Sequence, residues 1–405
     1  MSGTEWRSYA FLPAAFLGSL IVLDLVSSLA KPSFTKIEFP SEVFVGDDGK
    51  FVLKFSNSLS DLRVQIGWPE GLSGPEEILI VGNQESEFSF RAVKRGVWEL
   101  KDVWVLWPSR FRLLEFLPKL VVDAKVRVVP NIKLVQSGEI TSKVFSSLYG
   151  VKENRSLGEG SEFHQLQEFV NGMDPRTIDW KRSAKLRLLV AKDSQAERNH
   201  HVIIALDNGY LMGQTVGLVP KIDHAVTAAL GVAWAAAIGG DLVGYFNFDV
   251  KPRQYFAPEP GRKAFVKLRA SAADMTYSSR ETNHTLALTE LYAKSPKRSL
   301  MIVFTDFTDT TSAELMIENI GLLAKRHLLI FVAIRDPELD TLAKTVPKSL
   351  EGVAGVVAAH DALNQRRLVL ERIARLGVTI VDATPNLVTA KLISNYLDIK
   401  AKEMI

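Results

Sequence analysis

The sequence has no cysteine, which excludes disulfides, zinc–thiolate sites, iron–sulfur clusters and a cysteine nucleophile. Compartment does not follow from that absence. A charge surplus is missing too: 49 basic residues face 46 acidic ones, and a formal net charge of +3 is too small to draw nucleic acid through a global field. Nucleic acid is therefore not an expected partner. No Gly-x-x-x-x-Gly-Lys-Ser/Thr, His-Glu-x-x-His or Gly-x-Ser-x-Gly pattern occurs, so the familiar phosphate loop, zincin helix and nucleophile elbow are not written here. A composition 47% hydrophobic and 23% charged lacks any bias toward disorder, collagen or long coiled coil. With 405 residues, there is room for two or three packed domains.

What is present begins with an apolar run of 22 residues from Tyr9 to Ala30. As a helix it would span roughly 33 Å, enough for one bilayer crossing. Asp24 interrupts it near the end, where a carboxylate can reach the interface at less cost than at mid-bilayer. A signal peptide is the rival reading, but its apolar core is usually shorter, and Ser27-Ser28-Leu29-Ala30 makes a poor cleavage region. Residues 1–32 are thus expected to be an N-terminal membrane anchor, touching lipid through that helix. Arg7 and Glu5 precede the run and Lys31 and Lys36 follow it, a bias of one charge that places the bulk of the chain on the cytoplasmic side.

Period-two alternation dominates residues 33–131. Phe51, Leu53 and Phe55 alternate with Val52 and Lys54, and Leu62, Val64 and Ile66 with Arg63 and Gln65. Phe88 and Phe90, then Val126 and Val128, repeat the pattern, with turn signals at Gly46-Asp47-Asp48-Gly49 and Val81-Gly82-Asn83. An all-β sandwich is expected. Trp107 keeps step with Val103 and Val105, which points it, more than an exposed binding surface of Trp98, Trp104 and Trp107, toward the core.

Residues 132–200 form a connecting segment with a dense motif. Gly158-Glu159-Gly160-Ser161-Glu162-Phe163 leads to Leu166-Gln167-Glu168-Phe169, then Gly172-Met173-Asp174-Pro175-Arg176-Thr177-Ile178-Asp179-Trp180 and Ser183-Ala184-Lys185. This stretch resembles the signature of the bacterial domain of unknown function 58 family, with Glu162, Phe163, Glu168, Gly172, Asp174, Arg176, Trp180 and Ser183 in its fixed places. Gln167 departs from the family's usual arginine. Read physically, an Asp-Pro-Arg turn followed by a buried tryptophan and a basic strand would fix an interdomain junction: Asp174 caps the turn, Pro175 sets φ and Arg176 pairs with a carboxylate. A partner-binding role is the alternative. The run Lys181, Arg182, Lys185, Arg187 and Lys192 reads as a solvated face before an acidic-partner site.

From residue 201 to 405 short apolar runs alternate with helical stretches. Runs ending at Asp207, at Asp249, before Thr305-Asp306, before Arg335-Asp336 and at Asp382 predict a doubly wound parallel sheet whose strands end in carboxylates. Helical spacing from Ile222 to Ala236 supplies the first crossover. This half resembles a von Willebrand factor A domain, which holds a divalent ion through Asp-x-Ser-x-Ser, a threonine in a middle loop and a later aspartate. Asp207, Thr282 and Asp306 fill the metal-ligating places, but Gly209 and Leu211 replace both serines. Such a degenerate site would hold Mg²⁺ weakly, and serines at both positions would be expected to restore a response. The alternative is that Asp207 and Asp306 cap loops and helix N-termini.

The family resemblance implies two membrane helices, of which this chain shows the second. It further implies a bacterial inner-membrane adaptor or assembly factor, not an enzyme, whose soluble domains face the cytoplasm and work with a MoxR-type AAA+ ATPase. Tyr210 and Phe307 flank the strand-end crevice in sequence and are the candidate partner-binding residues. A metal-dependent hydrolase using the strand-end aspartates, or an envelope structural protein of opposite orientation, are the competing readings. A chain beginning near Ser33 is expected to be monodisperse by light scattering without detergent; a need for detergent would place more of the sequence in the membrane.

Overall fold

The computed structural model describes residues 11–28, 34–55, 62–80, 86–120, 122, 124–150, 162–170, 173–195 and 200–402. The chain divides into two compact units, Met1–Asn131 and Ile132–Ile405. The described residues of 132–200 fall within the second unit.

In the first unit the apolar run forms the helix Phe11–Ser27, 17 residues long. Residues 9–10 and 29–30 of the run, with Arg7 and Lys31, lie outside the described residues. Among the described residues, no helix is long and apolar enough to cross a membrane. Every described side chain of this helix is exposed except Asp24, which is fully buried. Near the end of the run, Asp24 meets protein donors in place of water. Its carboxylate accepts hydrogen bonds from the Ser109 hydroxyl and from the backbone N–H of Phe111 (2.9 Å) and Leu113 (3.3 Å).

Small, mostly antiparallel sheets make up the rest of that unit, and one parallel pair joins Glu42–Phe44 to Ala124–Val129. The strands Asp48–Phe55, Leu62–Gly67, Ser86–Ala92, Asp102–Pro108 and Ala124–Val129 fall where the alternation lies. Their inward residues Phe51, Leu53, Val64, Phe90, Val105 and Val126 are buried, and Trp107 joins them. Phe51 stacks on Phe39 with ring centroids 4.8 Å apart, and Trp107 on Phe116 at 5.5 Å. Gly46 takes a φ of +85° in the turn before Asp48–Phe55, a backbone that its lack of Cβ allows. Val81-Gly82-Asn83 lies outside the described residues.

The second unit is built on a six-stranded sheet: β1 (His201–Asp207), β2 (Leu242–Phe248), β3 (Pro252–Pro260), β4 (Leu300–Phe304), β5 (Leu328–Ile334) and β6 (Thr379–Ala383). The spatial order is β3-β2-β1-β4-β5-β6. All neighbours pair in parallel except β2 with β3. The antiparallel β3 escapes apolar-run reasoning because its sequence PRQYFAPEP carries three prolines. Proline is tolerated there because β3 is an edge strand.

Among the described residues, seven helices of eight or more residues alternate with these strands or follow the last of them: α1 (Lys221–Ile238), α2 (Gly261–Ala273), α3 (His284–Lys294), α4 (Glu314–Ala324), α5 (Pro337–Lys344), α6 (Leu350–Arg375) and α7 (Pro385–Ala401). Ile203 and Ala205 of β1 pack with Leu288 and Leu291 of α3, Met316 and Ile320 of α4, and Val369 and Ile373 of α6. The opposite face carries α1, which packs against α2 and α7. Gly231 of α1 permits close approach there, since a Cβ would lie 2.9 Å from Thr389 of α7 and 3.7 Å from Ile140. Ile140 and Val144 are buried, so the helix Glu139–Gly150 belongs to this layer, and Trp234 of α1 donates to the Thr141 hydroxyl at 3.4 Å.

His327, just before β5, is buried with neither ring nitrogen hydrogen-bonded, and Tyr292 meets it edge-on with ring centroids 6.0 Å apart. Burial, reinforced by the Arg326 guanidinium, pushes its pKa down from 6.5 to about 4. The unfolded chain then binds the proton first as pH falls, so stability present above pH 6.5 is lost progressively toward pH 4. His327→Leu is expected to flatten the melting temperature against pH across this interval; an unchanged slope would assign the acid sensitivity to other groups.

Candidate functional site

In a doubly wound sheet the crevice opens at the carboxyl ends of the strands where the winding reverses, here between β1 and β4. Asp207 ends β1, and Asp306 follows β4 by two residues. Both are buried. Asp207, Tyr210, Thr282, Asp306 and Phe307 all line one cavity, together with Leu211 and His284. The structure thus brings the sequence-selected residues of this half to a single place.

Asp207 is fully engaged by its own loops. Its Oδ1 accepts from the backbone N–H of Gly209 at 2.8 Å and the Thr282 hydroxyl at 2.5 Å, and its Oδ2 accepts from the Thr305 hydroxyl at 2.5 Å. Because the Thr305 hydrogen is used on Asp207, His284 Nε2, 3.0 Å from Thr305 Oγ1, is the donor in that contact. Asp306 takes cations. Lys221 Nζ lies 2.6 Å from Oδ2 and Arg366 Nη1 3.0 Å from Oδ1, which also accepts from the Phe307 N–H at 3.0 Å.

Arg366 also reaches Asp382 at 2.9 Å and donates to the Ile334 carbonyl at 3.2 Å, while Arg335 holds the other Asp382 oxygen at 2.5 Å. The result is an alternating row: Lys221, Asp306, Arg366, Asp382, Arg335. Burial disfavours charge on Arg366, but Asp306 and Asp382 outweigh it and hold the guanidinium pKa above its ordinary value. The remaining strand-end carboxylates are occupied as well. Asp249 pairs with Arg253 at 2.8 Å, and Asp336 accepts from the Glu338 N–H at the start of α5.

These residues do not fit a divalent ion as they stand. Both Asp306 oxygens already face protein cations, and the two Asp207 oxygens face donors. Gly209 is not an empty serine place either, because a Cβ there would fall 1.9 Å from Thr282 Oγ1. A serine at 209 would first have to displace Thr282, which corrects the expectation that serines at 209 and 211 would simply restore a site. Phe307 is also corrected: only 8% exposed, it packs on Phe331 and beneath the Arg366 guanidinium, so it supports the crevice from below. Tyr210, 50% exposed, stands at the rim.

Sequence reasoning missed Lys221, Arg366, Thr305 and His284. Lys221 carried a signal, since a lysine in the first turn of a helix opposes the helix dipole and asks for a compensating anion. Arg366 carried none, being one of several charged residues along α6.

In the signature segment two expectations change, the basic strand and the buried tryptophan. Glu162–Glu168 is a strand paired antiparallel with Val190–Gln195, and Pro175–Thr177 is a 3-10 turn. Lys181, Arg182 and Lys185 lie in the helix Trp180–Leu186, capped by Asp179 through the Arg182 N–H at 3.1 Å, whereas Lys192 does lie in a strand, Val190–Gln195. Trp180 is 67% exposed, not buried. Ser183 is buried and accepts from the Val190 N–H at 2.9 Å, tying helix to strand. Glu168 and Asp174 are exposed, and the Asp174 carbonyl accepts from the N–H and hydroxyl of Thr177. Gly172 and residues 158–161 lie outside the described residues, as do the side chains of Glu162, Phe163 and Arg176.

Six strands in the order β3-β2-β1-β4-β5-β6, antiparallel only at one edge and carrying carboxylates at the central crevice, define a von Willebrand factor A-like α/β domain. The chain belongs to the family described as protein of unknown function DUF58, whose family model matches residues 165–375. Among solved structures it is similar to the conserved hypothetical protein BatB from Bacteroides thetaiotaomicron, with 16% identity over 49% of this chain and 99% of that one and a TM-score of 0.34. An aerotolerance-related membrane protein from Bacteroides fragilis NCTC 9343, with multiple mutations to serines, gives 11% over 51% and 100% at 0.34. The SpRpn10 VWA domain gives 10% over 49% and 95% at 0.31. No curated protein matches.

Removing Lys221 leaves buried Asp306 with a single cationic partner, a change expected to cost about 3 kcal/mol. In thermal melts Lys221→Met should fall well below the wild type and gain a melting-temperature rise with millimolar Mg²⁺, reversed by EDTA. A wild type that itself loses many degrees in EDTA would show that a metal, not Lys221, sets the charge of the site.

Proposed function

We propose that this chain is a membrane-associated bacterial adaptor or assembly factor whose α/β domain docks a MoxR-type AAA+ ATPase through the crevice below Tyr210. The observation that carries the reading is the occupation of Asp306 by Lys221 and Arg366. A crevice whose carboxylates are already neutralised offers a preformed, fixed-shape surface and no ligand set for hydrolytic chemistry. Its exposed aromatic rim at Tyr210 suits a protein contact, since aromatic side chains beside desolvated pockets carry much of the energy of interfaces. No nucleotide loop is present in the sequence, so energy would come from the partner.

Membrane attachment is part of the same proposal. Apart from Asp24, every described side chain of Phe11–Ser27 is exposed, and Phe16, Leu17, Val22 and Leu23 are all more than half so; an apolar surface of that kind belongs in lipid or in a core. The one-charge bias around the run favours an inner-membrane protein with its soluble domains in the cytoplasm.

Co-purification of the tagged full chain from detergent extract tests the docking. Tyr210→Ala is expected to reduce ATPase retention by about tenfold or more. EDTA in the absence of nucleotide is expected to leave wild-type retention unchanged, because no metal bridges the contact. Loss of binding in EDTA with Tyr210→Ala at wild-type strength would replace this surface with a metal-bridged one; retention of no ATPase under any condition would remove the adaptor reading.

A further inference from the structure

The first unit contains a carboxylate held in an unusual manner. Ser109–Leu114 is the hairpin loop between the strands Asp102–Pro108 and Glu115–Phe116, and it closes on itself through Ser109 N–H to the Leu114 carbonyl at 2.8 Å. Its interior donors converge on Asp24 from the apolar helix: the Ser109 hydroxyl, the Phe111 N–H and the Leu113 N–H. Ser28 adds a second tie by accepting from the Arg110 N–H at 2.9 Å. Alternate backbone N–H groups of the loop, joined by a hydroxyl, thus form a concave anion site that works as a nest does, and here the anion is the helix's own carboxylate.

With its polar backbone turned inward, the loop turns apolar side chains outward. Phe111 is 55% exposed, Leu113 49% and Leu117 55%, and Arg110 and Arg112 are exposed between and beside them. Arg112 sits at φ +58°, a left-handed conformation that a non-glycine residue keeps only when its surroundings over-determine it. Asp24 and Ser109 supply that constraint, because Arg112 N–H also bonds the Ser109 carbonyl at 3.0 Å. Aromatic and aliphatic residues interleaved with arginine, joined rigidly to the end of an apolar helix, have the chemistry of the lipid–water boundary, where apolar groups dip below the headgroups and cations meet lipid phosphate.

We propose that the hairpin end Ser109–Leu117, the loop together with the short strand after it, is a second membrane contact, inserting Phe111, Leu113 and Leu117 at the surface of a bilayer that contains anionic lipid, with Asp24 as the tether that sets its depth. The proposal rests on the membrane reading of the helix Phe11–Ser27. It also accounts for an acid in an apolar run, since the nest supplies the donors that lipid cannot.

The absence of cysteine makes site-specific labelling direct. Phe16→Cys, Phe111→Cys and Leu79→Cys, each carrying a nitroxide in the full chain, are reconstituted in phosphatidylcholine vesicles with phosphatidylglycerol, and depth is read from oxygen against nickel accessibility. The Phe16 label is expected deep in lipid, the Phe111 label shallow in lipid and the Leu79 label in water. Adding Asp24→Asn, or Ser109→Ala where the first variant folds poorly, should shift the Phe111 label to water and leave the Phe16 label in lipid. Omitting phosphatidylglycerol should shift the Phe111 label toward water. A Phe111 label in water while the Phe16 label is in lipid overturns the second contact and spares the anchor; a Phe16 label in water overturns the anchor itself. A Phe111 depth indifferent to both tether variants overturns the role of Asp24, and one indifferent to phosphatidylglycerol overturns the anionic lipid.

Discussion

The Arg366 guanidinium is the hinge of the α/β domain's polar architecture. It is largely buried, and a buried cation is tolerated only when anions and hydrogen-bond acceptors meet it. Asp306 after β4, Asp382 in β6 and the Ile334 carbonyl at the end of β5 do so together, which pins α6 across three strands at once. Against well-packed apolar residues such a network gains little net stability, but any arrangement that breaks it strands a charge in the interior. Its contribution is to select one placement of α6 over others that the apolar core alone would accept.

From that constraint follows the character of the crevice. Asp306 shares its second oxygen with Lys221 at the start of α1, where the helix dipole disfavours a cation. The placement is coherent only because Asp306 stands opposite: the local cost at α1 and the cost of burying Asp306 offset each other. Thr282 likewise fills, with its hydroxyl, the space that a side chain at position 209 would take, and spends its hydrogen on Asp207. The departure at position 209 is thus matched in volume by Thr282, and Lys221 and Arg366 bring Asp306 the positive charge that an ion would supply.

How far the sequence discloses this depends on the range of the forces involved. The five parallel strands were legible because burial on both faces leaves long apolar runs, and α1 because its apolar residues recur at helical spacing. β3 was not, since an edge strand can carry prolines and polar residues that mimic a loop. Trp107 and Trp180 show the same contrast: alternation with Val103 and Val105 fixed the first in a core, whereas nothing around Trp180 distinguished a buried junction from the exposed first turn of a short helix. The carboxylates at the strand ends could be read from the chain, but their partners could not. Lys221 and Arg366 lie far from Asp306 in sequence, and only the folded sheet brings them to it.

The charge pattern also decides what kind of contact the crevice favours. A partner offering a carboxylate would have to draw Lys221 or Arg366 away from Asp306 and leave that acid buried without compensation, at a cost of several kcal/mol. A partner offering a basic side chain would meet carboxylates whose oxygens are already engaged. An apolar or aromatic group seated against Tyr210 and Leu211 disturbs none of these pairs and gains from the surface it removes from water. The same internal neutralisation that argues against a bridging metal therefore argues for a dry contact at the rim, with the row of ion pairs beneath it holding the floor of the cavity in shape.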